Sequence, residues 1–219
     1  MKDLVSKILS QADAQCIIDA VKKAEKLTSA EIVPTIVNAS YHYPLTRIYA
    51  SFVLSLPLAI ALTYYIAPLF YFHKDNLWIF IVFFSLLFIV FKVTIAKSIF
   101  LTRLFLNPRE VDAEVREAAI TAFYKNGLYK TADKNGVLVY ITLLEKKVWI
   151  LADEDAHKKI EPEFWDSCVQ QIIEGIKQKQ FVPALCATIE TIGNRLAKEY
   201  PVKHDDVDEL KNIIIGDNQ

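Results

Sequence analysis

The residue types best suited to chemistry are grouped just after a predicted strand. Asp153, Asp155 and His157 follow the predicted strand at 147–152. In open α/β sheets ligands bind outside the ends of strands, and carboxylates together with an imidazole can hold a divalent cation. Glu31, at the start of another predicted strand, is a fourth candidate ligand. The sequence therefore predicts a metal site, for a cation such as calcium or magnesium, at Asp153, Asp155, His157 and Glu31.

A structural role for the same stretch is the alternative. Asp155 could cap a helix that begins near Ala156, because a carboxylate accepts hydrogen bonds from the free N–H groups at a helix start. Hydrolysis would in addition need a metal-activated water or a carboxylate nucleophile placed against a phosphoryl group. The chain contains no Walker loop and no Gly-x-Ser-x-Gly, Cys-x₅-Arg or His-Glu-x-x-His sequence. Catalytic residues therefore stay unassigned.

The overall charge argues against a nucleic-acid partner. The formal net charge is −1, so no bulk field draws the chain to nucleic acid or to acidic lipid. The three cysteines, Cys16, Cys168 and Cys186, are scattered through helical patterns. Their spacing resembles neither a disulfide framework nor a metal-binding pair, which suits a reducing compartment.

Two long apolar runs interrupt the soluble part of the chain. Residues 48–72 include no charged side chain, and residues 77–95 include only Lys92. A helix needs about 20 apolar residues to cross the hydrocarbon core, and a lysine can reach the headgroups along its aliphatic stem. The alternative is a buried hairpin in a soluble core, but two such helices would occupy the single core that a chain of this size can hold. We therefore predict a transmembrane helical hairpin at 48–96, joined by the polar loop 73–76.

Lysine and arginine residues near the hairpin predict its orientation. Arg47 precedes the first helix, and Lys92, Lys97 and Arg103 lie at the end of the second or beyond it, whereas the connecting loop carries only Lys74. The positive-inside rule places the basic flanks in the cytoplasm. We expect a two-helix protein of the inner (cytoplasmic) membrane, with the soluble domain and both termini in the cytoplasm.

The flank before the hairpin predicts one helix and one strand. Ser10 is a candidate N-cap, with Asp13 completing a variant of the capping box, and the helix runs to about Leu27. Residues 31–37 are typical of a strand. Pro34 cannot donate to a ladder, which restricts this strand to an edge position or a bulge.

The flank after the hairpin predicts the remaining elements. Asn107 followed by proline begins a helix. Residues 137–143 are a nearly continuous apolar run, as in a central strand buried on both faces, and they form a hairpin with 147–152. Two amphipathic helices follow, and an apolar patch at 213–215 could dock back onto the domain.

Helices and strands therefore surround one small sheet, which predicts an α/β fold. Because each flank is incomplete alone, we expect the hairpin to be inserted within one soluble domain. The predicted organisation is a first domain part, the hairpin, a second domain part and an acidic tail, at 1–47, 48–96, 97–201 and 202–219.

Several short segments resemble the TPM domain family, in particular its membrane-anchored bacterial members. Residues 28–33 (TSAEIV) resemble the entry into the family's first strand, and residues 135–138 (NGVL) resemble the turn into its central strand. Residues 153–157 (DEDAH) are similar to a family segment that also ends in histidine, and residues 163–165 and 181–192 resemble its closing helices. The resemblance covers nearly all of the chain outside the hairpin and the tail.

The resemblance implies a mixed sheet of about four strands packed by helices. Some members outside this branch are described as phosphatases or calcium binders, and others as accessory assembly or receptor-associated proteins. This sequence departs from the family pattern at Ala30, which replaces a glycine, and at Asp155-Ala156, which replaces Gly-Ile. Both departures leave the fold intact and bear on the shape of the predicted ligand loop.

Two functional hypotheses follow from these observations. The first is a membrane-anchored interaction or accessory module, whose partners are the lipid bilayer and a membrane or cytoplasmic protein or a second copy of the chain. The second is a metal-dependent phosphatase that acts through the acidic loop at Asp153, Asp155 and His157.

Overall fold

The structure, a computed structural model, describes residues 4–131, 133–202 and 210–216. These residues fall into two compact units, one formed by residues 42–111 and the other by the remaining described residues. The helices and strands are, in chain order, α1 (Val5–Ile8), α2 (Gln11–Glu25), β1 (Ile32–Val37), α3 (Pro44–Ile66), α4 (Leu77–Lys97), α5 (Ile99–Leu104), α6 (Pro108–Lys125), β2 (Val137–Thr142), β3 (Lys147–Ala152), α7 (Glu154–Lys159), α8 (Pro162–Lys177), α9 (Phe181–Glu199) and β4 (Ile214–Gly216).

One mixed sheet organises the larger unit. Its strand order is β3-β2-β1-β4. β1 pairs in parallel with β2 and with β4, whereas β2 and β3 are antiparallel. All residues of β1 and β2 are buried, as expected of strands that are covered on both faces. The predicted α/β fold with a mixed four-stranded sheet is confirmed.

Pro34 lies at the boundary between two halves of β1. The first half pairs only with β2, whereas the second half pairs with both β2 and β4. The carbonyls of Glu31 and Val37 both accept hydrogen bonds from N–H groups on the β2 side, so alternate residues from Glu31 onward face β2. Pro34 therefore turns its missing N–H to the opposite side, where β4 pairs only with residues 35–37. The prediction that Pro34 restricts β1 to an edge or a bulge is wrong for the strand as a whole, because β4 covers its second half.

The first half of β1 is completed by a side chain instead of a strand. Glu25, the last residue of α2, accepts a hydrogen bond from the Ile32 N–H at 3.1 Å. Its second carboxylate oxygen accepts a hydrogen bond from the Asn212 side chain, also at 3.1 Å. One carboxylate therefore satisfies a strand N–H that would otherwise be buried without a partner, and it connects α2 and β1 to the segment before β4.

Two predicted helix starts are confirmed. The Ser10 hydroxyl accepts a hydrogen bond from the Asp13 N–H at 3.1 Å, and the Asp13 carboxylate accepts one from the Ser10 N–H at 2.9 Å, which completes a capping box. At the start of α6, the Asn107 side chain accepts a hydrogen bond from the Arg109 N–H at 3.1 Å.

Helix α9 packs against both α2 and α8. The approach of α9 to α2 requires a glycine, since a Cβ atom added at Gly193 would lie 2.5 Å from the Cβ atom of Ala24. The two helices thus approach more closely than side chains at that contact would allow.

The unit formed by residues 42–111 contains the two long apolar helices α3 and α4, which pack against each other. The buried face of α3 carries small side chains at every fourth position, namely Ser51, Ser55, Ala59 and Thr63. Small residues let helix backbones approach closely when lipid surrounds the pair. The hydroxyls of Ser51 and Thr63 donate to the carbonyls of Arg47 and Ala59 at 2.6 and 2.8 Å, so they are satisfied within their own helix.

Candidate functional site

Two of the four predicted ligands lie at the same edge of the sheet, namely the edge where β1 and β2 begin and β3 ends. The Val137 N–H donates to the Glu31 carbonyl at 2.8 Å, and the Asp153 N–H donates to the Gly136 carbonyl at 2.9 Å. Glu31, Gly136 and Asp153 therefore stand in a row across three neighbouring strands. Because neighbouring strands lie about 4.8 Å apart, the backbones of Glu31 and Asp153 are separated by about 10 Å.

Asp153 is the N-cap of α7. One carboxylate oxygen accepts a hydrogen bond from the Glu154 N–H at 2.7 Å. The other, Oδ2, is buried and makes no hydrogen bond within the described part of the chain. A helix cap in this loop was the structural alternative, but it assigned the cap to Asp155 and the helix start to Ala156. That assignment is wrong, because β3 ends at Ala152 and α7 begins at Glu154.

Asp155 instead joins α7 to the end of α9. Its carboxylate accepts a hydrogen bond from the Tyr200 hydroxyl at 3.0 Å and forms an ion pair with Lys159 at 2.9 Å. The hydrogen bond from Lys159, followed by that from Tyr200, lowers the pKa of Asp155 below its usual range. Burial, followed by the nearby Asp155 carboxylate, raises the pKa of Tyr200 to about 12. Asp155 is therefore held ionised where α7 contacts the end of α9.

His157 is exposed on α7, and its N–H donates to the Asp153 carbonyl at 2.9 Å. Two positions along an α-helix correspond to a rotation of about 200°, so Asp155 and His157 project to different sides of α7. Among residues 4–131, 133–202 and 210–216, no three histidine, cysteine, aspartate or glutamate side chains are grouped to hold one metal ion. The structure brings Glu31 and Asp153 to one edge and separates the other two, and metal binding stays a prediction.

A further acidic residue near this edge was missed at the level of sequence. The Ser29 hydroxyl donates to the Asp133 carboxylate at 3.2 Å, and the Asn135 side chain donates to the Ser29 carbonyl at 2.8 Å. Asp133 belongs to the turn before β2, and the sequence predicted no ligand role for it. Its position before the Asn-Gly turn into β2 was the available signal.

A cavity of about 430 Å³ lies elsewhere in the same unit, between α6 and the second half of β1 with β4. Its wall includes small and aliphatic side chains, hydroxyls and three charged groups. The lining residues are Thr35, Val37, Ser40, Tyr41, Glu114, Glu117, Ala118, Thr121, Ala122, Lys125, Asn126, Ile214, Ile215 and Gly216. A volume of this size falls within the range of small-molecule sites.

Two hydroxyl groups of residues that line this cavity have no hydrogen-bond partner within the described part of the chain. Thr35 is 2% exposed, and its Oγ1 has no hydrogen-bond partner within the described residues. The hydroxyl of Ser40 is likewise buried and without such a partner in that part of the chain. A buried polar atom without a hydrogen bond is unfavourable, and both hydroxyls belong to residues that line the cavity together with charged side chains. The cavity therefore suits a molecule that combines apolar and hydrogen-bonding groups.

The cavity was not predicted from the sequence. Residues 114, 117, 121 and 125 lie on one face of α6 at helical spacing, and this face was the available signal. The opposite wall depends on β4, which contacts β1 through residues far away in the chain.

Comparison with known proteins finds a family model that matches part of the chain. The family model of the TPM domain matches residues 102–195. This stretch of the chain is similar to the TPM domain. The match begins in α5 and ends within α9, and it covers β2, β3 and the predicted acidic loop. The resemblance is thus confirmed for the segments that follow the hairpin, whereas residues 28–33 lie outside the match. The membrane-anchored branch stays a prediction.

A solved structure has the same fold. The NMR structure of the BA42 protein from the psychrophilic bacterium Bizionia argentinensis sp. nov. is similar to this chain with a TM-score of 0.58 and 22% sequence identity. The likeness covers 95% of this chain and 94% of that one. At this identity the likeness concerns the fold. A search of the curated proteins found no match.

Replacing Thr35 by valine tests whether the cavity hydroxyl is unsatisfied. We expect the free energy of unfolding to rise by about 1 kcal/mol, because a methyl group replaces a buried polar atom without a partner. Thr28→Val is the matched control: the Thr28 hydroxyl donates to the Tyr200 carbonyl at 2.7 Å, so its loss should lower the free energy by about 1–3 kcal/mol. Denaturant unfolding of the full chain in detergent measures both. A loss of stability in Thr35→Val would contradict the assignment.

Proposed function

We propose that this chain is a membrane-anchored TPM domain protein that acts as an interaction or accessory module at the cytoplasmic face of the inner membrane. In this proposal α3 and α4 span the bilayer as a hairpin. The TPM domain, formed by the chain on both sides of the hairpin, binds a protein partner or a second copy of the chain. The exposure of the two apolar helices carries the proposal.

The apolar surface of these helices is largely uncovered. In the most apolar window of each candidate span, 22% of the first, Pro44–Phe70, and 6% of the second, Leu77–Lys97, is buried. A core helix of a soluble protein would be mostly buried. Large side chains such as Leu86 and Ile89 are more than half exposed, and an uncovered apolar surface of this extent is favourable against lipid hydrocarbon but not against water.

The loop end of the hairpin carries the aromatic residues expected at a membrane interface. Tyr65, Tyr71 and Trp78 are 73%, 100% and 76% exposed. Aromatic rings with one polar group favour the headgroup region. The amino group of Lys74 lies 4.8 Å from the ring centre of Tyr64 in the same region. These features support a loop that faces one interface, and the greater number of basic residues in the flanks supports a cytoplasmic domain.

The cavity beside α6 supports the interaction role. It offers a concave surface with two unsatisfied hydroxyls, Thr35 and Ser40, in the part of the chain that the structure describes. Carboxylates of Glu114 and Glu117 also line it. A surface of this kind can select a partner by hydrogen bonding as well as by apolar contact.

The membrane topology can be measured with reporter fusions. A reporter that is active only in the cytoplasm should be active when fused after Gln219 and inactive when inserted in the loop at 73–76, because the positive-inside rule keeps the basic flanks in the cytoplasm. The chain should also stay with the membrane during alkaline extraction. The reverse activity pattern would contradict the orientation, and release by alkali would contradict the anchor.

The interaction role can be measured in native membranes. After chemical crosslinking, the tagged chain should purify in a defined complex, and Ala118→Trp, which fills the cavity, should reduce that complex by roughly tenfold or more. Ala113→Trp is the matched control, because Ala113 is exposed on the same helix and does not line the cavity. The uncrosslinked chain alone, or equal loss in both variants, would contradict binding through this cavity.

A metal-dependent phosphatase is the second candidate function, and the position of Glu31 and Asp153 at one edge of the sheet supports it. Calcium, magnesium or zinc should then raise the melting temperature by about 5 °C or more at about 100 times the dissociation constant. Asp153→Asn should remove the shift while keeping the cap of α7, because asparagine also caps helices. No shift with these ions and no turnover of a generic phosphate ester would exclude this candidate. A shift that persists in Asp153→Asn would place the metal elsewhere.

A further inference from the structure

Two of the three cysteines meet where α2 packs against α9. The sulfur atoms of Cys16 and Cys186 are 3.6 Å apart, although 170 positions separate the residues in the chain. Cys16 is exposed and Cys186 is partly exposed, whereas Cys168 is buried. The pair is therefore within reach of a small solute, and each sulfur already lies beside the atom with which it could form a bond.

The packing of the two helices holds this contact in place. Cys16 lies beside Cys186, and Ala24 lies beside Gly193 further along both helices. The two helices therefore run in the same direction. Beyond their ends, the Tyr200 carbonyl accepts hydrogen bonds from the Ser29 N–H at 3.0 Å and from the Thr28 hydroxyl at 2.7 Å. The helix pair is thus fastened at the Tyr200 end, whereas its opposite end carries two free thiols.

We propose that Cys16 and Cys186 are a redox modification site that takes a hydroperoxide as its oxidant and forms a reversible disulfide between α2 and α9. In a reducing compartment both residues rest as thiols, and a bond of this kind is transient. The two sulfur atoms must approach from 3.6 Å to about 2.05 Å. The required approach of the two sulfur atoms is therefore only about 1.5 Å.

The reaction has two balanced steps. The Cys16 thiolate attacks an oxygen of the hydroperoxide, the O–O bond breaks, and the leaving oxygen takes up a proton, which gives a sulfenic acid and an alcohol or water. The Cys186 sulfur then attacks the Cys16 sulfur. The S–O bond breaks, and the departing hydroxide takes the Cys186 proton and leaves as water. Two thiols lose two electrons, which the hydroperoxide accepts.

The environments of the two thiols assign the order of attack. Burial, followed by contact with Cys16, raises the pKa of Cys186 to about 12, so this thiol keeps its proton in the resting pair. Cys16 is the more exposed residue of the pair and is reached first by an oxidant. Cys186 then needs no diffusion to reach the sulfenic acid, because it already touches it.

The disulfide would fasten the free end of the helix pair. It would close a ring that contains β1, β2, β3 and the apolar hairpin, since Cys16 precedes β1 and Cys186 lies in α9, whereas β4 follows α9. Closing a ring of this length restricts the unfolded chain and stabilises the folded one. Oxidation would therefore convert a packed contact between α2 and α9 into a covalent one.

Thiol counting on the full chain tests the site. The Cys168→Ser variant keeps only the proposed pair, so after denaturation it should bind two maleimide labels when reduced. After treatment with hydrogen peroxide it should bind none and remain a monomer on a non-reducing gel, and dithiothreitol should restore both labels. The oxidised Cys168→Ser chain should melt about 5 °C or more above its reduced form.

Three results would overturn the assignment. They are retention of both labels after peroxide, a covalent dimer formed between two copies, and oxidation that leaves the melting temperature of Cys168→Ser unchanged. Cys16→Ser and Cys186→Ser serve as controls, and neither should gain a peroxide-dependent rise in melting temperature. If the reduced forms of both controls have the same melting temperature as the reduced wild-type chain, the absence of a peroxide-dependent rise reflects the lost disulfide and not a loss of folding.

Discussion

The parallel pairing of β1 with β2 is the interaction on which the rest of the fold depends. β1 precedes the apolar hairpin and β2 follows α6, yet the two strands are paired along their whole length. Parallel neighbours cannot be joined by a tight turn, so the chain needs a crossover connection between them. Here the crossover contains α3, α4, α5 and α6. The hairpin is thus inserted within a crossover, and the β1 segment completes a domain whose matched part begins only at residue 102.

The length of this crossover is tolerated because loop closure depends weakly on length. Each doubling of a flexible loop costs about 0.6 kcal/mol, so a connection several times longer than the minimum of about a dozen residues costs only about 2 kcal/mol more. The packing of α3 against α4 reduces the effective length further, since an antiparallel helical hairpin returns the chain towards its entry point. Burial of every residue in β1 and β2 exceeds this small cost.

Features with local signals could be predicted from the sequence, whereas features that depend on distant pairing could not. The capping box at Ser10 and the apolar run of β2 are each encoded within a few residues. The choice between Asp153 and Asp155 as the cap of α7 depends on where β3 ends, which its pairing with β2 determines. The contact between Cys16 and Cys186 joins two helices at opposite ends of the chain, and spacing along the sequence does not encode such a contact.

β4 links the sheet to the cavity, and Pro34 determines where this strand can begin. Extending β4 towards the start of β1 would gain no hydrogen bond at Pro34, because the N–H that proline lacks would face that side. The next N–H on that side, that of Ile32, already donates to the Glu25 carboxylate, which also accepts a hydrogen bond from the Asn212 side chain. β4 is therefore short, and its residues, Ile214–Gly216, also form a wall of the cavity. A molecule that contacts this wall binds the state in which β4 is paired with β1. Occupation of the cavity and docking of this strand must therefore stabilise each other by the same free energy.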